Sequence, residues 1–226
     1  YYDEQGRIPL LDCVRRVEEA LAAEGKPRGY LPIDGLAAYD AATRELVFGK
    51  ESELVAAGRV ATTQTIGGSG ALRVGADLLK KLLPHATVAI SNPSWENHRA
   101  VFGAAGFDIV DYTYFDAATH GLDFAGMLAD LGRLEPGTVV LLHACCHNPT
   151  GADLTVAQWK QVAALMKDRG LFPFIDMAYQ GFDKGITEDG AAVRIVAEAG
   201  IDSFIVANSY SKSFSLYGER VGALSV

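Results

Sequence analysis

Short apolar runs alternate with amphipathic stretches along most of the chain. Runs rich in β-branched and aromatic residues predict strands, whereas apolar residues spaced three and four apart predict helices with one buried face. The predicted strands are 60–66, 87–91, 107–112, 139–143, 172–176 and 204–207, and the predicted helices are 10–24, 69–83, 96–105, 124–131, 155–169 and 191–199. This alternation predicts an α/β domain: a three-layer, mostly parallel sheet with helices on both faces.

The residues that follow the predicted strands are the first place to look for function. Ligands of such sheets bind beyond the carboxyl ends of the strands. Polar, glycine or aromatic residues stand at five of these ends: Gly67 to Gly70, Asn92 to Trp95, Cys146 to Gly151, Asp176 to Tyr179, and Ser209 to Lys212.

The glycine-rich stretch IGGSGALR follows a strand and opens a helix. Free backbone N–H groups and the positive end of the helix dipole suit an anion at such a place. Gly68, Gly70 and Arg73 follow the spacing of a dinucleotide motif, but Arg73 takes the place of its last glycine and no acidic residue ends the next strand. A phosphate cradle is the favoured interpretation, with a nucleotide site and a structural turn as alternatives.

The stretch His143-Ala144-Cys145-Cys146-His147 contains four residues of metal-binding type. Neighbours on a strand point to opposite faces, and structural zinc sites use pairs of ligands with a different spacing. The favoured interpretation therefore assigns no metal.

Asp176 and Lys212 are charged residues that follow apolar runs. Burial disfavours an unpaired carboxylate, and it favours the neutral, nucleophilic form of an amine. Taken alone, Asp176 could be a helix cap and Lys212 a solvated lysine of a loop. Together with a phosphate cradle, an aromatic plate and Arg220, they describe a site for pyridoxal phosphate (PLP), which needs a Schiff-base lysine and an acidic partner for its ring nitrogen.

The motifs GGSGALR, SNPSWENH, ACCHNPTGADLT, DMAYQGF and NSYSKSFSLYGERVGALSV closely resemble those of the fold-type I, class I aminotransferases, in the aspartate and aromatic amino acid branch. The resemblance covers essentially the whole chain. It implies a PLP-dependent transferase that runs ping-pong transamination, in which an amino acid leaves its nitrogen on the cofactor and 2-oxoglutarate takes it up. The segments WENHRAVF, GADLT and FSLYGERVG look nearer to the aromatic branch, so tyrosine or phenylalanine, and aspartate, are the implied donors.

The resemblance also implies which residues are catalytic. Lys212 is implied to form the Schiff base and to move the substrate proton. Asp176 is implied to pair with the pyridine nitrogen, with His98 supporting it from behind. Tyr179 is implied to bind the ring's 3-oxygen.

The remaining implied contacts are made to the cofactor ring, the substrate and the phosphate. Asn148 binds the 3-oxygen beside Tyr179, Trp95 stacks on the ring, and both help to hold the substrate carboxylate. The implied phosphate ligands are Gly68, Ser69, Ser209, Ser211, Arg220 and, from the neighbouring subunit of a homodimer, Tyr30.

Composition and charge limit the classes of partner. With 226 residues, 49% of them hydrophobic and 21% charged, the chain resembles an ordinary soluble domain. A net charge of −8 gives no support for binding to nucleic acid or to an anionic membrane. The three cysteines indicate free thiols in a reducing cytoplasm, and no apolar run approaches the ~20 residues of a membrane span.

The resemblance predicts two regions. Residues 1–30 are expected to form an N-terminal helix and loop that belong partly to a small domain, and residues 31–226 the PLP-binding large domain, cut short at its C-terminus. The family's arginines for the substrate carboxylates are expected to lie outside this sequence. A nucleotide-binding α/β domain, a PLP-dependent lyase or decarboxylase, and a non-catalytic relative remain the alternatives.

Overall fold

The computed structural model describes all residues from Tyr1 to Val226. Helices cover both faces of one large sheet, and the expected α/β architecture is confirmed. The helices are α1 Asp12–Glu24, α2 Ala37–Phe48, α3 Glu53–Ala56, α4 Gly67–Leu82, α5 Glu96–Ala104, α6 Phe124–Leu131, α7 Val156–Arg169, α8 Ile186–Asp189 and α9 Ala191–Glu198. The strands are β1 Thr62–Ile66, β2 Thr87–Asn92, β3 Asp108–Thr113, β4 Phe115–Asp116, β5 Gly121–Leu122, β6 Val139–His143, β7 Phe172–Met177, β8 Ile205–Ser209 and β9 Val221–Ser225.

The large sheet has seven strands in the order β1-β9-β8-β7-β6-β2-β3. The five strands from β8 to β3 are parallel, whereas β9 runs antiparallel to both β8 and β1. The chain leaves β2 towards β3 on one side, and it leaves β6 towards β7 and β8 on the other. The strand order therefore reverses between β2 and β6, and a crevice at their carboxyl ends is the expected ligand site.

The core lies on both faces of the sheet, because side chains alternate along each buried strand. On β6, Val139 and Leu141 pack with helices α4 and α5, whereas Val140 and Leu142 pack on the opposite face with α6, α7 and α9. All four side chains are essentially inaccessible to solvent. Strands that are buried on both faces read as continuous apolar runs, which is why the sequence reveals them.

Helix α4 lies very close to the sheet at its first turn. A Cβ atom added to Gly222 on β9 would come within 2.4 Å of the Gly67 carbonyl carbon and 2.7 Å of the Asn208 carbonyl oxygen. Both contacts are to backbone atoms, so a side chain at this position would push the start of α4 away from the sheet. Glycine at 222 therefore fixes where the N-terminus of α4 stands.

Helix α1 differs from the others because none of its residues is buried. Its apolar residues Val17 and Leu21, and Leu10 just before the helix, each expose more than half of their surface, and Tyr30 in the following loop is fully exposed. None of the helices is both long enough and apolar enough to span a bilayer.

Candidate active site

A cavity of about 250 Å³ opens at the carboxyl ends of the parallel strands, next to the point where the strand order reverses. Its walls come from the start of α4 and from the segments that follow β2, β6, β7 and β8. The lining residues are Gly68, Ser69, Leu72, Trp95, His143, Cys145, Asn148, Asp176, Ala178, Tyr179, Ser209, Ser211, Lys212, Tyr217 and Arg220.

One end of the cavity is built to hold an anion. Helix α4 begins here without a side-chain cap, so the N–H groups of its first turn are open to a ligand. A Cβ on Gly68 would lie 2.8 Å from the Cβ of Ser209, and one on Gly67 would lie 2.6 Å from a guanidinium nitrogen of Arg220. The two glycines therefore let a serine hydroxyl and an arginine stand directly beside the helix N-terminus.

Asp176 lies deeper in the cavity, at the end of β7. Its Oδ2 atom accepts a hydrogen bond of 2.8 Å from Nε2 of His98, whose side chain is completely buried. Oδ1 makes no hydrogen bond to the protein, and the residue lines the cavity. The carboxylate thus has one oxygen held from behind and one free for a cationic partner.

Two further side chains fix the orientation of His98. His143 Nδ1 accepts the N–H of Asn148 at 3.2 Å, and burial, then His147, then His98 hold the pKa of His143 well below its usual range. A neutral His143 therefore carries its proton on Nε2 and donates it to Ser94 Oγ at 3.2 Å. The single hydroxyl hydrogen of Ser94 is then donated to Nδ1 of His98 at 2.9 Å, which leaves Nε2–H of His98 to face Asp176.

Lys212 lies across the cavity, in the turn that follows β8. Its side chain is half-buried, and Nζ lies 5.2 Å from the centroid of the Tyr179 ring. Burial, then Tyr1 and Asp176, raise the pKa of Tyr179, so its hydroxyl stays protonated and can donate a hydrogen bond. An amine and a phenol thus stand side by side over the cavity.

His147 joins the loop after β6 to the sheet. Its ring stacks between Tyr114 and His143, at centroid distances of 3.9 and 4.2 Å. The Ser91 hydroxyl donates to the Pro93 carbonyl at 3.0 Å, so it accepts the Nε2–H of His147, also at 3.0 Å. Nδ1 then accepts the hydroxyl of Thr150 at 2.8 Å.

This burial predicts a dependence of stability on pH. Burial, then His98, lower the pKa of His147 from 6.5 to about 4, so below pH 6.5 the unfolded chain binds a proton that the folded protein does not. The free energy of unfolding should therefore fall by about 2 to 3 kcal/mol between pH 6.5 and pH 4 on account of this group. Urea unfolding at several pH values should show that the free energy of unfolding falls less steeply with decreasing pH in His147→Gln than in the parent.

The matched control for this prediction is His85→Gln, because His85 is exposed. That variant should keep the parent's pH dependence. Parallel pH curves for the parent and His147→Gln would contradict the assignment of His147 as a neutral buried base.

The structure brings together all but two of the candidate residues from the sequence in the cavity. His98 stands behind Asp176, as expected for a supporting residue. Tyr30 lies outside the cavity and is fully exposed, and its expected role in a neighbouring subunit stays a prediction.

Sequence reasoning missed the parts of the site that depend on distant contacts. Ser94 and His143, which orient His98, are 49 positions apart, and Tyr217 also lines the cavity. The one available signal was that His143 ends a predicted strand, on the edge where the other candidates stand.

The two histidines at and after the end of β6 are arranged for hydrogen bonding. Both ring nitrogens of His143 and of His147 already have partners, and no group of three or more potential ligands is close enough to hold a metal ion. All three cysteines are free thiols. Burial, then Asp153, raise the pKa of Cys146 to about 11, so its thiol is protonated near neutral pH.

Residues 1–226 match the family "Aminotransferase class I and II". The chain belongs to this family. Among its relatives, it is 62% identical over 226 residues to an aspartate aminotransferase of Pseudomonas aeruginosa, and 52% identical over 229 residues to a tyrosine aminotransferase of Klebsiella pneumoniae. All of the chain is covered in both cases, together with 56% and 57% of the relatives' lengths.

A solved structure agrees with the sequence relatives. The chain superposes with a TM-score of 0.98, at 60% identity, on the aromatic-amino-acid aminotransferase from Burkholderia pseudomallei, a structure described as covalently bound to pyridoxal phosphate. The superposition covers 100% of this chain and 56% of that one. The chain therefore spans somewhat more than half the length of the proteins that it resembles.

Proposed function

We propose that the protein is a PLP-dependent aminotransferase that moves the amino group of an aromatic amino acid or of aspartate to 2-oxoglutarate. The observation that carries this proposal is the meeting, in one cavity, of an amine (Lys212), a supported carboxylate (Asp176) and an anion cradle at the start of α4. Membership of the aminotransferase family supports the same reaction.

The chemistry of the donor set fits PLP from end to end. The cradle suits a phosphate monoester, because it combines backbone N–H groups, two buried serines and a guanidinium. Trp95 offers a flat face for a pyridine ring, and Asp176 offers an anionic oxygen for a protonated ring nitrogen. Gly68 is needed for this fit, because a side chain there would fill the space beside Ser209.

When bound, PLP supplies a carbonyl that reacts with amines and a ring that draws electrons from the substrate's Cα. Lys212 would bind the cofactor at its carbonyl carbon, and its Nζ amine would accept the proton from the substrate's Cα. Asp176, whose Oδ2 accepts the Nε2–H of His98, would offer its other oxygen to the protonated ring nitrogen. Tyr179 and Asn148 would hold the ring by hydrogen bonds to its 3-oxygen, and Asn148 and Trp95 would help to hold the substrate carboxylate.

The donor amino acid is proposed from the relatives' names. The 62% identical relative is named an aspartate aminotransferase, whereas the Klebsiella relative and the Burkholderia structure are named for tyrosine and aromatic amino acids. Both classes of donor are therefore proposed. The sequence motifs favour the aromatic one.

The organisation of the protein is proposed on similar grounds. Residues 31–226 form the cofactor-binding domain, and residues 1–30 belong partly to a second, smaller domain, which is consistent with the lack of buried residues in α1. A homodimer is proposed in which Tyr30, itself fully exposed, reaches the phosphate of the neighbouring subunit's cofactor. The free cysteines favour the cytoplasm.

The proposal is tested by following both half-reactions. The protein is loaded with PLP, and its visible absorption is recorded before and after tyrosine or aspartate is added. Transamination predicts loss of the visible band, formation of the matching 2-oxo acid, and recovery of the band with 2-oxoglutarate. Release of ammonia or carbon dioxide without amino transfer would indicate a lyase or decarboxylase, and no spectral response to PLP would refute the assignment.

A further inference from the structure

The loop from Cys146 to Thr150 carries Asn148 into the cavity, yet Asn148 does not fix its own position. Its side-chain amide makes no hydrogen bond within the protein, and the residue lines the cavity. Its backbone N–H donates to His143 Nδ1 at 3.2 Å. The direction of the Asn148 side chain therefore depends on how the neighbouring residues hold the backbone of the loop.

Asp153 holds the two residues that precede Asn148. Its Oδ2 accepts the N–H of Cys146 at 2.6 Å, and its Oδ1 accepts the N–H of His147 at 2.8 Å. Cys146 has a φ of 49°, in the left-handed region that a residue with a side chain adopts only at a cost. The paired hydrogen bonds that the Asp153 carboxylate accepts compensate for this cost and keep the loop turned towards the cavity.

Asp153 is itself held from both sides. The hydroxyl of Tyr114 donates to the carbonyl of Ala152 at 2.7 Å. Two residues after Asp153, Thr155 forms a capping box with Gln158 at the start of α7. The backbone on either side of Asp153 is thus held by Tyr114 and by the start of α7, whereas the loop that its carboxylate binds has an exposed tip at Pro149.

We propose that Asp153 is a positioning residue that acts through Asn148: by accepting the N–H groups of Cys146 and His147, it sets the direction in which the Asn148 amide enters the cofactor site. This inference rests on the proposed function for the identity of the cofactor. A carboxylate is required, because an asparagine offers one acceptor and turns an NH₂ group towards the other N–H donor.

The test compares Asp153→Asn with Asp123→Asn. Asp123 is also a carboxylate that accepts a backbone N–H, from Gly126 at 2.8 Å, but it caps α6 and does not line the cavity. In the protein without PLP, hydrogen exchange at the amides of Cys146 and His147 should accelerate by about tenfold or more in Asp153→Asn and stay unchanged in Asp123→Asn.

In the PLP-loaded protein, Asp153→Asn should weaken PLP binding by about three- to tenfold, as expected for a lost charge-assisted hydrogen bond felt through one neighbour. It should also shift the pH midpoint of the cofactor's visible absorption in the same direction as Asn148→Ala. In an Asn148→Ala background, the same substitution should change PLP affinity by less than about twofold. The reason is that the effects of substituting two residues that act through each other do not add.

Each outcome decides between the two hypotheses. Unchanged amide exchange in Asp153→Asn, or a full additional loss of affinity in the Asn148→Ala background, would overturn the role of Asp153. Failure of the parent to bind PLP would overturn the proposed function, and with it the role of Asp153 there, even if amide exchange still responds. If Asp153→Asn does not fold, Asp153→Glu keeps the charge on a longer chain and should show smaller changes in the same directions.

Discussion

Replacing Lys212 with alanine is expected to abolish covalent attachment of PLP and to lower the rate of transamination by about 10⁴-fold. Nζ of Lys212 is the amine of the cavity, 5.2 Å from the centroid of the Tyr179 ring, and Tyr179 cannot replace it because its raised pKa keeps the phenol protonated. Attachment is measured by borohydride reduction and mass analysis of the peptide around residue 212. The rate is measured in a single turnover, as the loss of the PLP absorption band after tyrosine or aspartate is added to the PLP-loaded protein.

The cofactor itself should remain bound in this variant. Gly68, Ser209, Ser211 and Arg220 form the anion cradle independently of Lys212, so PLP affinity should fall far less than the rate does. The matched control is Lys184→Ala, since Lys184 has a side chain 70% exposed. If Lys212→Ala still forms a reducible covalent adduct within the cavity, or retains more than a few per cent of the rate, a different amine is the reactive one.

The sequence could predict most of the site because the chemistry lies at strand ends. Asp176 and His143 are directly paired across β7 and β6, and Ser209 ends the neighbouring β8. Parallel strands bring their carboxyl ends to one edge, so residues far apart in sequence meet without any specific information about their contacts. The glycine-rich turn could equally be predicted from the sequence, because free N–H groups at a helix start are a local feature.

The parts that sequence did not reveal are those set by tertiary contacts. Helix α2 has only a weak apolar stripe, and it buries Asp40 and Thr43 beside Val47 and Phe48. Strand β9 looks like any other short apolar run, and nothing local shows that it pairs antiparallel to both of its neighbours.

The hydrogen-bond chain from His143 through Ser94 to His98 has no local signal either. It follows from the register of β6 and β7 and from the position of α5. The orientation of each imidazole can be assigned only when every donor and acceptor is counted.

Replacing Asp176 with asparagine should lower the rate of transamination by about 10²- to 10³-fold while leaving the fold intact. Asparagine has nearly the same shape, and its carbonyl oxygen can still accept the Nε2–H of His98 that Asp176 receives at 2.8 Å. What is lost is the negative charge that, in the proposed function, would hold a proton on the ring nitrogen of PLP. The rate is measured on the PLP-loaded protein, alongside thermal unfolding of the variant.

The hydrogen bonds from His143 through Ser94 and His98 to Asp176 predict that other variants should have intermediate effects on the rate. Asp176→Glu keeps the charge and should recover part of the rate, whereas His98→Asn keeps the carboxylate but removes its imidazole support and should cost about tenfold to 100-fold, in the range found for outer-shell partners. The surface control Asp111→Asn, on β3, should have no effect on the rate. If Asp176→Asn were as active as the parent, the charge at residue 176 would have no part in the chemistry, and the chain from His143 to Asp176 would serve packing alone.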